Sequence, residues 1–166
     1  EEGIQKTGTD FALVLSPRDT LRGRYDEREN LDPASLAPGA EDENRSGTLQ
    51  WAHRRDRMGL TLAYGAGESE DNTGSILERT SLAAARLDVT PNAKTAAHLE
   101  HQASLSGPDN DQTSAGIQYQ VSPALSLGAS GTQGTNGNSL QGEANLNVGD
   151  SRLYATERLT DDNAGH

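Results

Sequence analysis

The sequence predicts an all-β fold, an antiparallel up-and-down meander of about ten strands. Three features predict it. Apolar residues recur at every second position over most of the chain, the period of a strand with two unlike faces. Short turn sequences carrying Pro or Gly-Asp interrupt that alternation about every 25–30 residues, once per hairpin. Longer stretches rich in Gly, Asn, Asp and Ser lie between the hairpins and read as loops.

Five hairpins follow in order. "DFALVLSPRDTLRGRYDER" turns at Ser16-Pro17-Arg18-Asp19. "TLQWAHRRDRMGLTLAYG" turns near Arg54 to Arg57, and "SLAAARLDVTPNAKTAAHLEHQASL" at Thr90-Pro91-Asn92. "YQVSPALSLGASG" turns at Ser122-Pro123-Ala124, and "SLQGEANLNVGDSRLYATERL" at Gly149-Asp150. Pro and Gly supply turn dihedrals, and Pro removes a ladder donor, so these positions suit turns better than strand interiors. The intervening loops are "ENLDPASLAPGAEDENRSG", "GAGESEDNTGS", "SGPDNDQTS" and "GTQGTNGNS". Short and long connections are expected to alternate strictly.

The strands themselves alternate. In the second, Leu21, Gly23 and Tyr25 oppose Arg22, Arg24 and Asp26; in the fourth, Met58, Leu60, Leu62 and Tyr64 oppose Gly59, Thr61 and Ala63. The sixth sets Ala97, Leu99 and Ala103 against Lys94, His98, Glu100 and Gln102. Ala115, Ile117, Tyr119 and Val121 oppose Gly116, Gln118 and Gln120 in the seventh. In the ninth, Leu140, Gly142, Ala144, Leu146 and Val148 oppose Gln141, Glu143, Asn145 and Asn147. The fifth is less clean, with Glu78 beside Arg79.

Composition sets the outer bounds. The 166 residues make one domain, 1–166, and only 32% of them are hydrophobic, with a net charge of -11. Low hydrophobicity with high charge is the signature of disorder; regular alternation is not. Without cysteine there is neither a disulfide nor a Cys-based metal site. The acidic balance leaves no dense Lys/Arg face for nucleic acid. No apolar run approaches the roughly 18 residues of a transmembrane helix. No signal peptide precedes Glu1-Glu2-Gly3, so a mature or excised piece is expected.

A sheet with one apolar and one polar face has two settings. Two such sheets stack in a soluble sandwich, or one closes into a transmembrane barrel with lipid outside and a wet lumen. Strands of about nine to eleven residues or more suit the barrel. So do the alternating connections and the charged residues at mid-strand. The scarcity of aromatics, Phe11, Tyr25, Trp51, Tyr64, Tyr119 and Tyr154 in all, is too small for two full girdles. On the barrel reading the lumen is lined by Arg22, Arg24, Gln50, Arg54, Lys94, His98, Glu100, Gln118, Gln120, Glu143 and Arg158. Both charge signs occur there, so a pore would be weakly selective or blocked by ion pairs.

"LSPRDTLRGRYDE", "YQVSPALSLGASG" and "LDVTPNAKTAAHLEH" resemble the "LTP-x-L-x-L-x-A-x-Y" hairpins repeated in outer-membrane β-barrel regions of Gram-negative surface proteins. The resemblance covers nearly the whole chain. It implies a meander barrel in the bacterial outer membrane and brings no catalytic residue. Glu1 and His166 are both expected on the long-loop side, and "LTDDNAGH" lacks a terminal aromatic. Both features suggest a segment of a longer barrel, whose edge strands would seek the parent's other strands.

Chemical motifs are sparse. "DENRSG", Asp42 to Gly47, matches the first half of a calcium loop, but His53 stands where the bidentate Glu belongs. "ESED" at Glu68 to Asp71 and "PDND" at Pro108 to Asp111 offer oxygens without a framework. His53, His98, His101 and His166 form no ligand set, no G-x-S-x-G elbow occurs, and "GTQGTNGN" lacks the Lys of a phosphate loop. No catalytic, cofactor or metal residue is therefore assigned. Acidic residues gather in the long loops, including Asp32, Glu41, Asp42, Glu43, Glu68, Glu70, Asp71, Asp109, Asp111, Asp161 and Asp162. Arg18, Arg54, Arg55, Arg57, Lys94 and Arg152 gather at the tight turns.

Two functions fit. The first is an outer-membrane barrel segment acting as surface anchor or passive pore, partnered by lipid, with divalent cations at its acidic loops. The alternative is a soluble extracellular β-module, adhesin- or fibre-like, binding partners through those loops.

Overall fold

A computed structural model describes residues 4–31, 37–149 and 151–161. The predicted positions of Glu1, Asp32, Asp150, Asp162 and His166 lie outside the described residues. The fold is all-β. Ten strands run β1 (Ile4–Ser16), β2 (Asp19–Asn30), β3 (Glu41–Arg55), β4 (Met58–Asp71) and β5 (Ile76–Asn92) in the first half. The second half adds β6 (Thr95–Ser106), β7 (Gln112–Gln120), β8 (Leu125–Gly134), β9 (Gly137–Val148) and β10 (Ser151–Asp161). Each hydrogen-bonds to its neighbours in chain order, β1 through β10. The pairs β1–β2, β2–β3, β6–β7, β7–β8, β8–β9 and β9–β10 are antiparallel. Among the described residues no helix is long and apolar enough to cross a membrane.

By its contacts the chain divides into two compact units. One draws on residues 1–53, 62–84 and 104–109; the other draws on 54–61, 85–103 and 110–166.

The two Ser-Pro turns are closed by one local device. The Ser16 hydroxyl accepts from Arg18 N at 3.1 Å and donates to Asp19 Oδ2 at 2.5 Å. The Ser122 hydroxyl accepts from Ala124 N at 3.2 Å and Leu125 N at 3.1 Å. In both turns the serine oxygen accepts from backbone N–H groups that follow the proline, which closes the turn locally. The β3–β4 turn instead bends at Asp56, whose φ of 49° is a left-handed conformation that Asp tolerates better than most residues.

Two expectations about connections are corrected. The third hairpin does not turn at Thr90-Pro91-Asn92: β5 runs through Asn92, and the turn is Ala93-Lys94. There the Asn92 side chain accepts from Lys94 N at 2.9 Å, an Asx turn that outcompetes the Pro signal. Nor do short and long connections alternate strictly. The intervals read as long loops shrink to residues 72–75, 107–111 and 135–136, leaving only 31–40 extended. Gly, Asn, Asp and Ser in these stretches mostly continue the ladder, as in Thr113↔Gln133 and Gln133↔Asn138. Polarity there marks strand with two wet faces, not loop.

The same correction removes the calcium loop. Asp42 to Gly47 lies within β3, where Arg45 pairs with Glu27 and Gly47 with Tyr25. Oxygens on one face of a strand sit about 6–7 Å apart, too far to wrap one ion. Glu68 to Asp71 is likewise strand, at the end of β4.

The β4–β5 turn shows why it closes so tightly. Asp71 Oδ1 accepts from Thr73 N at 2.8 Å, the Thr73 hydroxyl at 2.6 Å and Ser75 N at 2.9 Å, while Gly74 takes a φ of 78°. These donors, the Thr73 hydroxyl foremost, hold the Asp71 carboxyl below the usual carboxylate range. A depressed folded-state pKa stabilises the turn above the ordinary Asp pKa, and that contribution fades as pH falls through the lower, folded value. We expect amide-exchange protection of Thr73 and Ser75, corrected for intrinsic rates, to fall at acid pH. Asp71→Ala should remove it at neutral pH, and Asp71→Asn should retain part of it.

Candidate lumen-lining face

Over the middle of the strands alternation sets a face of small and polar residues against a face of large apolar ones. Along β4, Met58, Leu60, Leu62, Tyr64 and Ala66 are exposed, while Gly59, Thr61, Ala63, Gly65 and Gly67 between them are half-buried. No described hydrophobic residue is buried. The apolar face therefore covers nothing, and the small, polar face is the shielded one.

In the unit built around β1–β3, pairing carries the faces from strand to strand. Leu21↔Trp51 and Gly23↔Leu49 lie on the apolar face; Arg22↔Gln50, Arg24↔Thr48 and Asp26↔Ser46 lie on the polar one. A Cβ built on Gly65 would meet Thr48 Cγ2 at 3.7 Å, and one on Gly67 would meet Thr80 Oγ1 at 3.2 Å, which extends the polar face into β4 and β5. Arg24 donates to Asp26 with both Nε and Nη2, at 2.5 and 2.8 Å. On the opposite face the Phe11 ring lies against Gly23, covering backbone that glycine leaves bare.

Beyond Tyr25 and Tyr64 the apolar face turns ionic. Arg45 sits among Glu27 at 3.2 Å, Glu70 at 3.7 Å and the adjacent Glu43. Arg79 donates from Nε to Glu68 at 2.6 Å. A shallow groove of 340 Å³ joins Tyr25 and Tyr64 to Arg45, Glu68 and Arg79. This cluster was not expected from the sequence, where Glu43, Arg45, Glu68 and Glu70 fell in stretches read as loops and Arg79 in the strand with irregular alternation. Their i, i+2 spacing with Tyr25 and Tyr64 was the available signal.

In the other unit, the registers Glu100↔Ser114, His98↔Gly116, Gln118↔Gly128, Gly128↔Glu143 and Gln141↔Arg158 put five expected residues on one face. Gln120, opposite Ser126, shares it. Lys94 lies in the β5–β6 turn at the end of this face, and Arg54 close to the β3–β4 turn. Glycines accommodate the larger groups. A Cβ on Gly116 would come within 2.5 Å of His98 Cε1, and one on Gly128 within 2.6 Å of Glu143 Cγ. Each polar side chain therefore lies flat over a glycine on the next strand.

The strongest ionic feature of this face was not expected. Arg86 Nη2 and Nε donate to Asp88 at 2.9 and 3.1 Å, and Arg86 Nη1 donates to Glu100 Oε2 at 3.1 Å. Arg86 and Asp88 were available as an i, i+2 pair, but the irregular start of β5 hid that strand's facing. A depression of 330 Å³ is lined by Arg86, Asp88, His98, Gln118, Ser130 and Glu143 among others. Among the described residues no three His, Asp or Glu side chains gather as metal ligands. What the face offers is a run of hydrogen-bonding and ionic groups.

No family model matches the chain, and no curated protein matches its sequence. Among solved structures, a KdgM porin in complex with disordered oligogalacturonate shares 7% identity at a TM-score of 0.48, over 96% of this chain and 87% of that one. The toluene transporter TodX of Pseudomonas putida shares 11% identity at a TM-score of 0.47. That comparison covers 93% of this chain, which spans 63% of TodX.

Arg86→Leu would leave Asp88 and Glu100 without the cation that hydrogen-bonds to both. All three side chains are partly solvated, so the expected loss is about 1 kcal/mol at low salt, smaller at high salt. Urea unfolding in detergent micelles would measure it, and Arg86→Lys should recover part of the loss.

Proposed function

We propose that the chain is a β-barrel segment of the bacterial outer membrane acting as a passive pore, its apolar face in lipid and its polar face toward water. One observation carries this reading: the large apolar strand residues of the meander are exposed, and no described hydrophobic residue is buried. A soluble sandwich would hide those side chains between two sheets; lipid makes their exposure favourable. On β4 the apolar run from Met58 to Ala66 extends about 26 Å along the strand. At a tilt of 35–45° that gives about 20 Å of height, close to the apolar band of outer-membrane barrels. Tyr25 and Tyr64 fall at its end, where aromatic rings favour the interface, and the Arg45 and Arg79 clusters follow in the headgroup region.

On this reading Arg22, Arg24, Gln50, Arg54, His98, Glu100, Gln118, Gln120, Glu143 and Arg158 line the lumen, with Lys94 at its mouth. Arg86 and Asp88 join them. Open sheet edges do not occur in hydrocarbon, so β1 and β10 need partners, either each other or further strands of a parent barrel.

The purified chain should need detergent to stay dispersed and should give discrete conductance steps in a planar bilayer. Detergent dependence without conductance would favour a surface anchor; dispersion in plain buffer would reject the membrane reading. Leu127, 45% exposed on the apolar face, provides the mutational test. Leu127→Arg should cost about 2–4 kcal/mol near the bilayer centre and block assembly into vesicles, whereas Gln118→Arg on the polar face should assemble normally.

A further inference from the structure

At the tight-turn end of the polar face, within one unit, a depression of 390 Å³ is lined by Arg57, Thr90, Asn92, Lys94, Gln118 and Gln120. No carboxylate lines it. Elsewhere Arg24, Arg45, Arg79 and Arg86 all have carboxylate partners. Among the described residues neither Arg57 nor Lys94 forms an ion pair, and Arg57 donates to the neutral carbonyl of Pro91.

Local hydrogen bonds hold the frame without cancelling its charge. Asn92 uses its side-chain oxygen on Lys94 N, leaving its amide nitrogen as a donor. Thr90 N and Thr90 Oγ1 both donate to Arg57 O, at 2.8 and 3.3 Å, fixing the guanidinium-bearing residue to β5. Gln120 Nε2 is spent on Ser122 O at 2.5 Å, so the Gln118 amide is the second neutral donor facing the space. In a chain whose net charge is -11, two uncompensated cations and two amide donors converge on one hollow.

We infer that this hollow binds a small dissolved anion through carboxylate or phosphate oxygens. The Arg57 guanidinium offers the planar fork that grips two such oxygens, and Lys94 offers a point charge beside it. The anion comes from solution and not from a lipid headgroup, because Gln118 and Gln120 belong to the polar face. A role in solute passage rests on the pore reading above; the binding site itself does not.

The test is a titration of the detergent-solubilised chain with inorganic phosphate, then acetate, at constant ionic strength set with chloride. Amide resonances of Asn92, Lys94, Thr95 and Gln118 should shift together and saturate. Arg57→Gln/Lys94→Gln should weaken that binding at least tenfold, Arg57→Lys/Lys94→Arg should largely restore it, and Arg18→Gln should leave it unchanged. Shifts that fail to saturate, or that persist in the charge-removed variant, would overturn the site. So would a response to phosphate-bearing lipid with none to free phosphate. Saturable binding in a chain that carries no current would sink the pore reading and leave the site standing. Conductance without saturable binding would do the reverse.

Discussion

Everything in this molecule follows from a ladder whose residues must alternate sides. Once backbone N–H and C=O groups are paired between neighbouring strands, the period of two leaves each side chain one choice of face. A slip of one residue would send Arg22, Arg24 and Gln50 to the apolar side and Leu21, Leu49 and Trp51 to the polar side. The register is therefore held by environment as much as by hydrogen bonds. It holds only if the two faces meet different surroundings, and no described hydrophobic residue is buried on the apolar one.

The polar face gains its character from glycine as much as from charge. His98 and Glu143 each lie over a neighbouring glycine, so large groups spread along the sheet instead of standing up from it. Arg86 ties two carboxylates on two strands into one cluster. Such pairs are modest stabilisers when partly solvated, but they consume charge. Arg57 and Lys94, outside those pairs, keep theirs, which separates an ion-paired middle from a cationic end within the same unit.

Much of the fold was legible in the sequence because alternation is local: β2, β4, β7 and β9 present the faces their residues announce. What was misread came from treating polarity as a loop signal. Asp42 to Gly47 and Glu68 to Asp71 are strand, and Glu70 and Glu68 pair with Arg45 and Arg79 across neighbouring strands. Those partners are distant in sequence, so no local rule could join them. The Thr90-Pro91 turn failed for a related reason, since Asn92 two positions on made the better hydrogen bond. Of the expected lumen residues, those on regular strands fell on one face in each unit, whereas Arg86 was missed where β5 begins irregularly.

The hydroxyl-closed Ser16-Pro17 and Ser122-Pro123 corners have a kinetic consequence. Each is completed by atoms within three residues of the serine, so a ribbon can close before any distant part of the chain arrives. Hairpin closure takes about 1–10 μs, and low sequence separation keeps the entropy of each closure small. Growth can then proceed pair by pair, each finished ribbon offering a straight edge to the next. Insertion or deletion of a whole ribbon changes the length of such a wall without disturbing the ribbons already made.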